Sequence, residues 1–345
     1  MTFRVGIIGA GMIGQEHAQR LDQRVSGTQV AGIADMNRDR ASHVAAVTSG
    51  AGVYASGHDL IAAPDIDAVV VTTWGPAHEE YVLAAIATGK PVFCEKPLAT
   101  TSAACLRIVD AEVAAGRRLV QVGFMRRSDP GYQAMKQDLD DGMIGEPLLA
   151  HCAHRNPSVP DSYTSDMPIN DTAVHEFDTM RWLLDEDIAA ISVLLPRRSR
   201  RASSHLDDPQ VLLLETASGV LIDVEVNVNC DYGYDIRCEL VGETGTLTLA
   251  NPERVDIRRT GLDSVRVPAD WRARFGRAYD IELQEWANSL AAGQAGGASS
   301  WDGYEATAIC EAGLTALASR ERVTVEARQR PSLYGQPLAS PAARA

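Results

Sequence analysis

Several features that would place a chain outside the ordinary globular class are missing from this sequence. No apolar run approaches the ~18 residues a transmembrane helix needs. The first residues, MTFRVGIIGAG, enter a strand at once, without the charged region and cleavage site of a secretory signal, so no signal peptide is expected. Cysteine is sparse and scattered. Cys94, Cys105, Cys152, Cys230, Cys238 and Cys310 form no CxxC pair, which reads as reduced, mostly buried thiols of a cytoplasmic protein. Positive charge is short as well, with 32 Lys and Arg against 46 Asp and Glu and a net charge of -14. That balance argues against general affinity for nucleic acid or anionic membranes. The basic run RRSRR (Arg197 to Arg201) follows a strand-like stretch and precedes a polar loop, so it reads as solvated. No internal repeat is visible.

What is present is a chain of 345 residues with 45% apolar and 23% charged residues, a globular balance and a length that exceeds one ordinary core. Two domains are expected. FRVGIIGAGMIG is an apolar strand running into Gly9-x-Gly11-x-x-Gly14 and then a helical pattern, QEHAQRL. A second strand, QVAGIAD, ends in Asp35. Strand, glycine turn, helix and a carboxylate at the end of the next strand make up the dinucleotide fingerprint. The first glycine permits the tight turn, the second lets a pyrophosphate approach the backbone, and the third lets helix and strand pack closely. A carboxylate at residue 35 can accept from both adenosine ribose hydroxyls. It opposes a 2′-phosphate by about 4 kcal/mol per unit charge at ~4 Å and an effective dielectric of ~20. NAD is therefore the expected cofactor, with Arg38 and Arg40 near enough to allow some NADP use.

Further strand–helix units follow, IDAVVVTTW with AHEEYVLAAIATG and KPVFCEKP with TSAACLRIVDAEVAAG, then RRLVQVGFM. Alternation of this kind gives a parallel sheet whose ligands lie beyond the C-terminal ends of the strands. Thr72, Thr73 and Trp74 occupy one such end and Glu95 and Lys96 another, so Lys96 is expected to point toward the nicotinamide half of the cofactor. The full cofactor set expected is Gly9, Gly11, Met12, Ile13, Gly14, Asp35, Met36, Arg38, Thr72, Thr73, Trp74, Glu95 and Lys96.

After Gly123 the pattern changes. A helix, YQAMKQDLDDGMIG, leads to the alternating strand EPLLAHCAHRN, a polar loop and a short helix, DTAVHEFDTMRWLL. Strands joined by short turns then dominate, from AAISVLL to RVDIRR, which predicts antiparallel pairing in an α+β domain with a large open-faced sheet. VLIDVEVNV reads as apolar on both faces, and an uncovered face of that kind suggests a homo-oligomer. Two more helices follow, and the tail from about Glu326 reads as a strap or a loosely ordered end. The division expected is 1–124 for cofactor and 125–345 for substrate binding and oligomerisation.

In DTAVHEFDTMRW, Asp171, His175, Asp178 and Trp182 fall on one helical face. Asp171 reads either as a cap that bonds His175 across one turn, or as the carboxylate of an Asp–His dyad that fixes the imidazole tautomer. His151 and His154 have opposite strand parity, which counts against a metal site, and none is expected. His154 and Asn156 share a face suited to a polyhydroxylated ligand.

The assembled passages TTWGPAHEE, VFCEKPLATT, RLVQVGFMRR, GEPLLAHCAHRNP, DTAVHEFD and NCDYGYDIRCE resemble the family of glucose–fructose oxidoreductase, inositol dehydrogenase and rhizopine-catabolism proteins. The resemblance covers nearly the whole chain. It implies an NAD-dependent oxidation of a CH–OH group, with myo-inositol, oxidised at C2 to scyllo-inosose, as the expected substrate. The homo-oligomer expected from the uncovered sheet face is a homotetramer. Another inositol isomer or a sugar such as glucose is the nearest rival, and a non-enzymatic NAD-binding regulator a weaker one. The resemblance also implies that Lys96, Asp171 and His175 carry the chemistry, with His175 as proton acceptor. Arg126, His154, Asn156 and Tyr234, together with Asp171 and His175, would contact the polyol.

Overall fold

The computed structural model describes residues 2–250, 255–326 and 328–335. Its first elements are β1 (Phe3–Ile8), α1 (Met12–Gln23), β2 (Thr28–Ala34), α2 (Arg38–Ala46), β3 (Gly52–Val53), α3 (Gly57–Ala62), β4 (Ala68–Val71), α4 (His78–Ala87), β5 (Val92–Glu95), α5 (Ser102–Ala115) and β6 (Val120–Gly123). The six strands form one parallel sheet in the order β3-β2-β1-β4-β5-β6. Every residue of β4, β5 and β6 is buried, as a sheet covered on both faces requires. Local chemistry sets the helix ends: the Thr101 hydroxyl accepts the Ala104 N–H before α5, and Gly116 ends it in the left-handed region at φ 67°.

The chain continues with α6 (Pro130–Asp140), β7 (Pro147–Arg155), α7 (Val174–Leu184), β8 (Ile188–Leu194), β9 (Gln210–Thr216), β10 (Leu221–Asn227), β11 (Asp235–Gly242), β12 (Thr246–Thr248), the hairpin β13 (Asp256–Arg259) and β14 (Leu262–Val265), α8 (Trp271–Ala292), α9 (Ser300–Ser319) and β15 (Val323–Thr324). A seven-stranded sheet has the order β12-β11-β7-β10-β9-β8-β15. Its pairs are antiparallel except β7 with β10, which run parallel from Leu221 opposite Leu149 to Asn227 opposite Arg155. The exception follows from connectivity. Strands β7 and β10 are joined by a long crossover through α7, β8 and β9, not by a turn.

Strand β10 corrects one expectation. Ile222, Val224 and Val226 are buried, while Leu221, Asp223, Glu225 and Asn227 lie on the other face. Period-two alternation governs the strand, so only one of its faces is apolar.

The described residues form two compact units, 2–124 with 280–307 and 328–335, and 125–250 with 255–279 and 308–326. The division is therefore not a single cut after residue 124. Leu283, Trp286, Ala287 and Leu290 of α8 complete the first unit's core, packed with Val5, Ile7, Leu21, Ile33, Val70 and Phe93. Apolar side chains of that size each contribute about 1.5–3 kcal/mol by leaving water, which holds this later segment in the first unit. Tyr334 is likewise fixed there, its hydroxyl donating to Glu112 Oε2 at 2.9 Å. Of the expected strap, residues 327 and 336–345 lie outside the described residues.

Candidate active site

At the C-terminal ends of β1, β2 and β4, where the strand order reverses, the first unit opens a cleft of about 620 Å³. Gly9, Gly11, Met12 and Ile13 line one wall, Asp35 and Met36 another, and Thr72, Thr73 and Trp74 a third. Gly9 sits at φ 100°, a conformation that favours glycine. Gly11 is the residue before α1 and has no side chain to cap it, so the first-turn amides open onto the cleft. Gly14 does not line it. A Cβ there would overlap the Gly9 carbonyl oxygen, so this glycine serves the packing of helix against loop. The Thr72 hydroxyl braces the same loop by donating to Gly9 O at 2.7 Å.

Both Asp35 oxygens hold main chain. Oδ2 accepts the Ala10 N–H and Oδ1 the Asn37 N–H, each at 2.7 Å. Each carboxylate oxygen has a second lone pair, so acceptor capacity for a diol remains. Arg38, expected at the cofactor, does not line the cleft; Arg40 does, with Nη1 4.0 Å from Asp35 Oδ2. Helix geometry places residue 38 at the start of α2 and residue 40 further round, toward the carboxylate. The Asp35 lip, the open helix N-terminus and the glycine cradle fit a dinucleotide diphosphate.

Glu95 ends β5, Lys96 follows it, and neither lines this cleft. Glu95 is buried, with Oε1 2.7 Å from His17 Nε2 and Oε2 accepting the Lys96 N–H at 3.1 Å. Its carboxylate faces α1. The peptide bond between Lys96 and Pro97 is cis.

In the second unit a charged cluster is assembled from four elements. Arg126 lies in a 3-10 turn (Met125–Ser128), His154 on β7, Glu176 on α7 and Tyr234 just before β11. Arg126 and Glu176 are only 1% and 2% exposed and form an ion pair through Nη1 and Oε1. Arg126 Nη2 donates to His154 Nδ1 at 3.0 Å, and the same Nδ1 lies 3.1 Å from Glu176 Oε2. Whichever tautomer holds, that nitrogen serves one of the two contacts at a time. Tyr234 Oη is 3.4 Å from His154 Nε2. Burial would raise the Glu176 carboxyl, but Arg126 and His154 outweigh it and hold it below its ordinary value. Burial likewise opposes the Arg126 charge, and Glu176 more than offsets it. Burial pushes the Tyr234 phenol up to about 12, so it stays a donor at neutral pH. Arg127 forks onto Asp178, with Nε 2.9 Å from Oδ2.

The helix expected over DTAVHEFDTMRW is broken in two. Pro168–Thr172 form a π turn, and α7 begins at Val174. Asp171 is exposed in the turn and accepts from the Tyr163 hydroxyl at 3.1 Å; it does not cap α7, whose N-cap is Ala173. The π turn shifts the angular register of Asp171 relative to α7, where His175 and Asp178 stand three residues apart, Asp178 fully buried against Arg127. His175 lies in the first turn of α7, buried, its ring centroid 6.3 Å from that of His154. Asn156 follows β7, donating its N–H to Asn227 O at 2.9 Å. His151 faces the other side of the sheet, exposed and paired with Asp223.

The structure thus brings Arg126, His154 and Tyr234 into one cluster and sets His175 beside His154. Sequence reading missed Glu176, although a glutamate between Val174 and Phe177 in an apolar helix is itself a signal of a buried partner.

Comparison with known proteins decides the family. A model described as the oxidoreductase family, NAD-binding Rossmann fold, matches residues 3–124, and that of the GFO/IDH/MocA C-terminal domain matches residues 132–248. The chain belongs to the GFO/IDH/MocA family. NAD is accordingly the cofactor of its Rossmann unit. It is 56% identical over 335 residues to inositol 2-dehydrogenase 3 of Saccharopolyspora erythraea, covering 97% of this chain and 99% of that one. Inositol 2-dehydrogenase of Pseudomonas fluorescens is 52% identical over 336 residues, covering 97% and 100%. Among solved structures, myo-inositol dehydrogenase from Lactobacillus casei in complex with NAD(H) and myo-inositol superposes with a TM-score of 0.94 at 39% identity, over 97% of this chain and all of that one.

Proposed function

We propose that this GFO/IDH/MocA protein is an inositol 2-dehydrogenase that oxidises myo-inositol at C2 to scyllo-inosose. The observation that carries the reading is 52–56% identity, over 97% of the chain, to relatives named for that reaction. When bound, NAD supplies the hydride acceptor. Asp35 takes the adenosine ribose hydroxyls, and the first-turn amides of α1 take the pyrophosphate. Lys96 places positive charge where alkoxide character develops on the substrate oxygen. His175 accepts the hydroxyl proton, with Asp171 as the carboxylate that favours its protonated form. Arg126, His154, Asn156 and Tyr234 recognise the remaining hydroxyls. Arg126 does so from a fixed orientation, because Glu176 and His154 hold its guanidinium. The exposed Leu194 and Leu221, on one face of the seven-stranded sheet, support a homotetramer built on that face. Six free thiols support a cytoplasmic place, and inositol catabolism is the role that fits.

The test is NADH formation by purified protein with myo-, scyllo- and chiro-inositol and glucose, each with NAD and NADP. Myo-inositol with NAD is expected to give the highest kcat/KM. Equal efficiency with glucose, or with NADP, would contradict the assignment. His175→Ala should lower kcat by about 10²-fold or more while NAD affinity stays near wild type. Near-normal turnover in that variant would remove His175 as the base.

A further inference from the structure

Two buried histidines outside the residues assigned above close on the segment that carries Lys96. His17 of α1 has Nε2 2.7 Å from Glu95 Oε1, and the second oxygen of Glu95 accepts the Lys96 main-chain N–H at 3.1 Å. His78, the first residue of α4, has Nδ1 2.7 Å from the Pro97 carbonyl oxygen and Nε2 2.9 Å from that of Thr73. The main chain of Lys96 is therefore tied on the preceding side through Glu95 to His17, and on the following side through Pro97 to His78.

The two rings are 0% and 1% exposed. Burying a polar ring costs free energy unless it is paired, and a helix can be packed on a sheet with apolar residues alone. Here both buried rings are directed at residues 95 and 97, flanking 96. Gly123 adds to the arrangement, since a Cβ there would come within 3.1 Å of the Glu95 carboxyl carbon that His17 holds. His78 also joins two strand ends, because Thr73 lines the cofactor cleft. A neutral imidazole has one N–H and faces two carbonyl acceptors, so it donates to one at a time while remaining wedged between both. Burial favours that neutral ring, opposed by the carbonyl contacts and by Glu95, and reinforced by Lys96.

We propose that His17 and His78 are positioning residues for Lys96, holding the Glu95–Lys96–Pro97 main chain so that the lysine side chain starts from one fixed point, registered by His78 to the Thr73 end of the cofactor cleft. The inference rests on the reading of Lys96 as a group that acts on substrate. A displacement of about 1 Å in a catalytic group can cost on the order of 10²-fold in rate, which gives such bracing a function.

The test places His17→Leu, His17→Gln, His78→Leu and His78→Gln in wild-type and Lys96→Ala backgrounds. The readouts are kcat and KM for myo-inositol and NAD affinity by fluorescence. The leucine variants should lose kcat by roughly 10- to 10²-fold with NAD affinity little changed. Glutamine at 17 should restore most of the loss, since its amide can donate to Glu95. Glutamine at 78 should restore only part, since it reaches one carbonyl. In the Lys96→Ala background none of these substitutions should lower kcat further. The same fold loss in both backgrounds, or unchanged kcat in all four variants while Lys96→Ala abolishes turnover, would overturn the proposal. Retained turnover in Lys96→Ala alone would instead overturn the reading of Lys96 and the proposal with it. If a leucine variant does not fold, the glutamine variants decide: lowered kcat for His78→Gln with normal NAD affinity supports the brace, and unchanged kcat at both positions overturns it.

Discussion

At the cofactor cleft most of the polar atoms in play are main chain: the Ala10 and Asn37 amides on Asp35, the Gly9 carbonyl under Thr72, and the first turn of α1. Around Arg126 they belong to side chains, with a buried guanidinium, carboxylate, imidazole and phenol satisfying one another. The first region works because its glycines keep the main chain open and closely packed, so it is broken by adding atoms. The second works because charges are balanced in a low-dielectric interior, so it is broken by removing one charge.

The largest effect is expected in the second region. Glu176→Ala leaves Arg126 buried without its counter-charge and should destabilise the protein by about 3–5 kcal/mol, read from urea unfolding. A loss below about 1 kcal/mol would mean that water enters and solvates the guanidinium. The pH dependence sharpens the point. A carboxyl whose folded pKa lies below its ordinary value, 4.5, stabilises the fold above that pH and loses the contribution as pH falls through the lowered value. The stability gap between wild type and Glu176→Gln should therefore narrow below about pH 4.5, and a gap that widened there would reverse the assignment.

The cofactor cleft should respond to a methyl group. Gly14→Ala forces helix and loop apart, because the new Cβ meets the Gly9 carbonyl and lies 2.7 Å from the Thr72 hydroxyl. Overpacking of this kind costs about 1–3 kcal/mol, and NAD affinity should fall roughly 10- to 10²-fold with it. Wild-type affinity in this variant would show that the loop can move without cost.

The smallest effect marks the limit of the comparison. Arg322 pairs with Glu215 through two contacts, at 2.8 and 2.7 Å, but on an exposed edge. Exposed pairs of this kind contribute little, so Arg322→Ala should leave Tm unchanged within error. A clear drop would mean that surface charge matters here as much as the buried cluster.

The same contrast explains what could be read from the chain alone. Gly9, Gly11, Gly14 and Asp35 lie in one continuous stretch, so their spacing carries the geometry. Arg126, His154, Glu176 and Tyr234 come from four elements separated by about twenty to sixty residues, and nothing in local spacing shows that they meet. The return of Leu283 and Trp286 to the first core was hidden for the same reason, since an amphipathic helix does not say which sheet it covers. The π turn before α7 was invisible because Pro168–Asn170 reads as the end of a polar loop and Asp171 as the start of an ordinary helix. The alternation in β10 was legible and was misread as two apolar faces.

Direct passage of the C2 hydrogen to the cofactor is the claim on which the whole account stands. It is tested by incubating the protein with NAD and myo-inositol bearing deuterium at C2, and following the label by NMR. Deuterium is expected at C4 of the reduced nicotinamide, with a slowed turnover, and scyllo-inosose should accumulate in step. Reduced nicotinamide carrying a solvent proton at C4, or deuterium retained on the oxidised polyol, would contradict it.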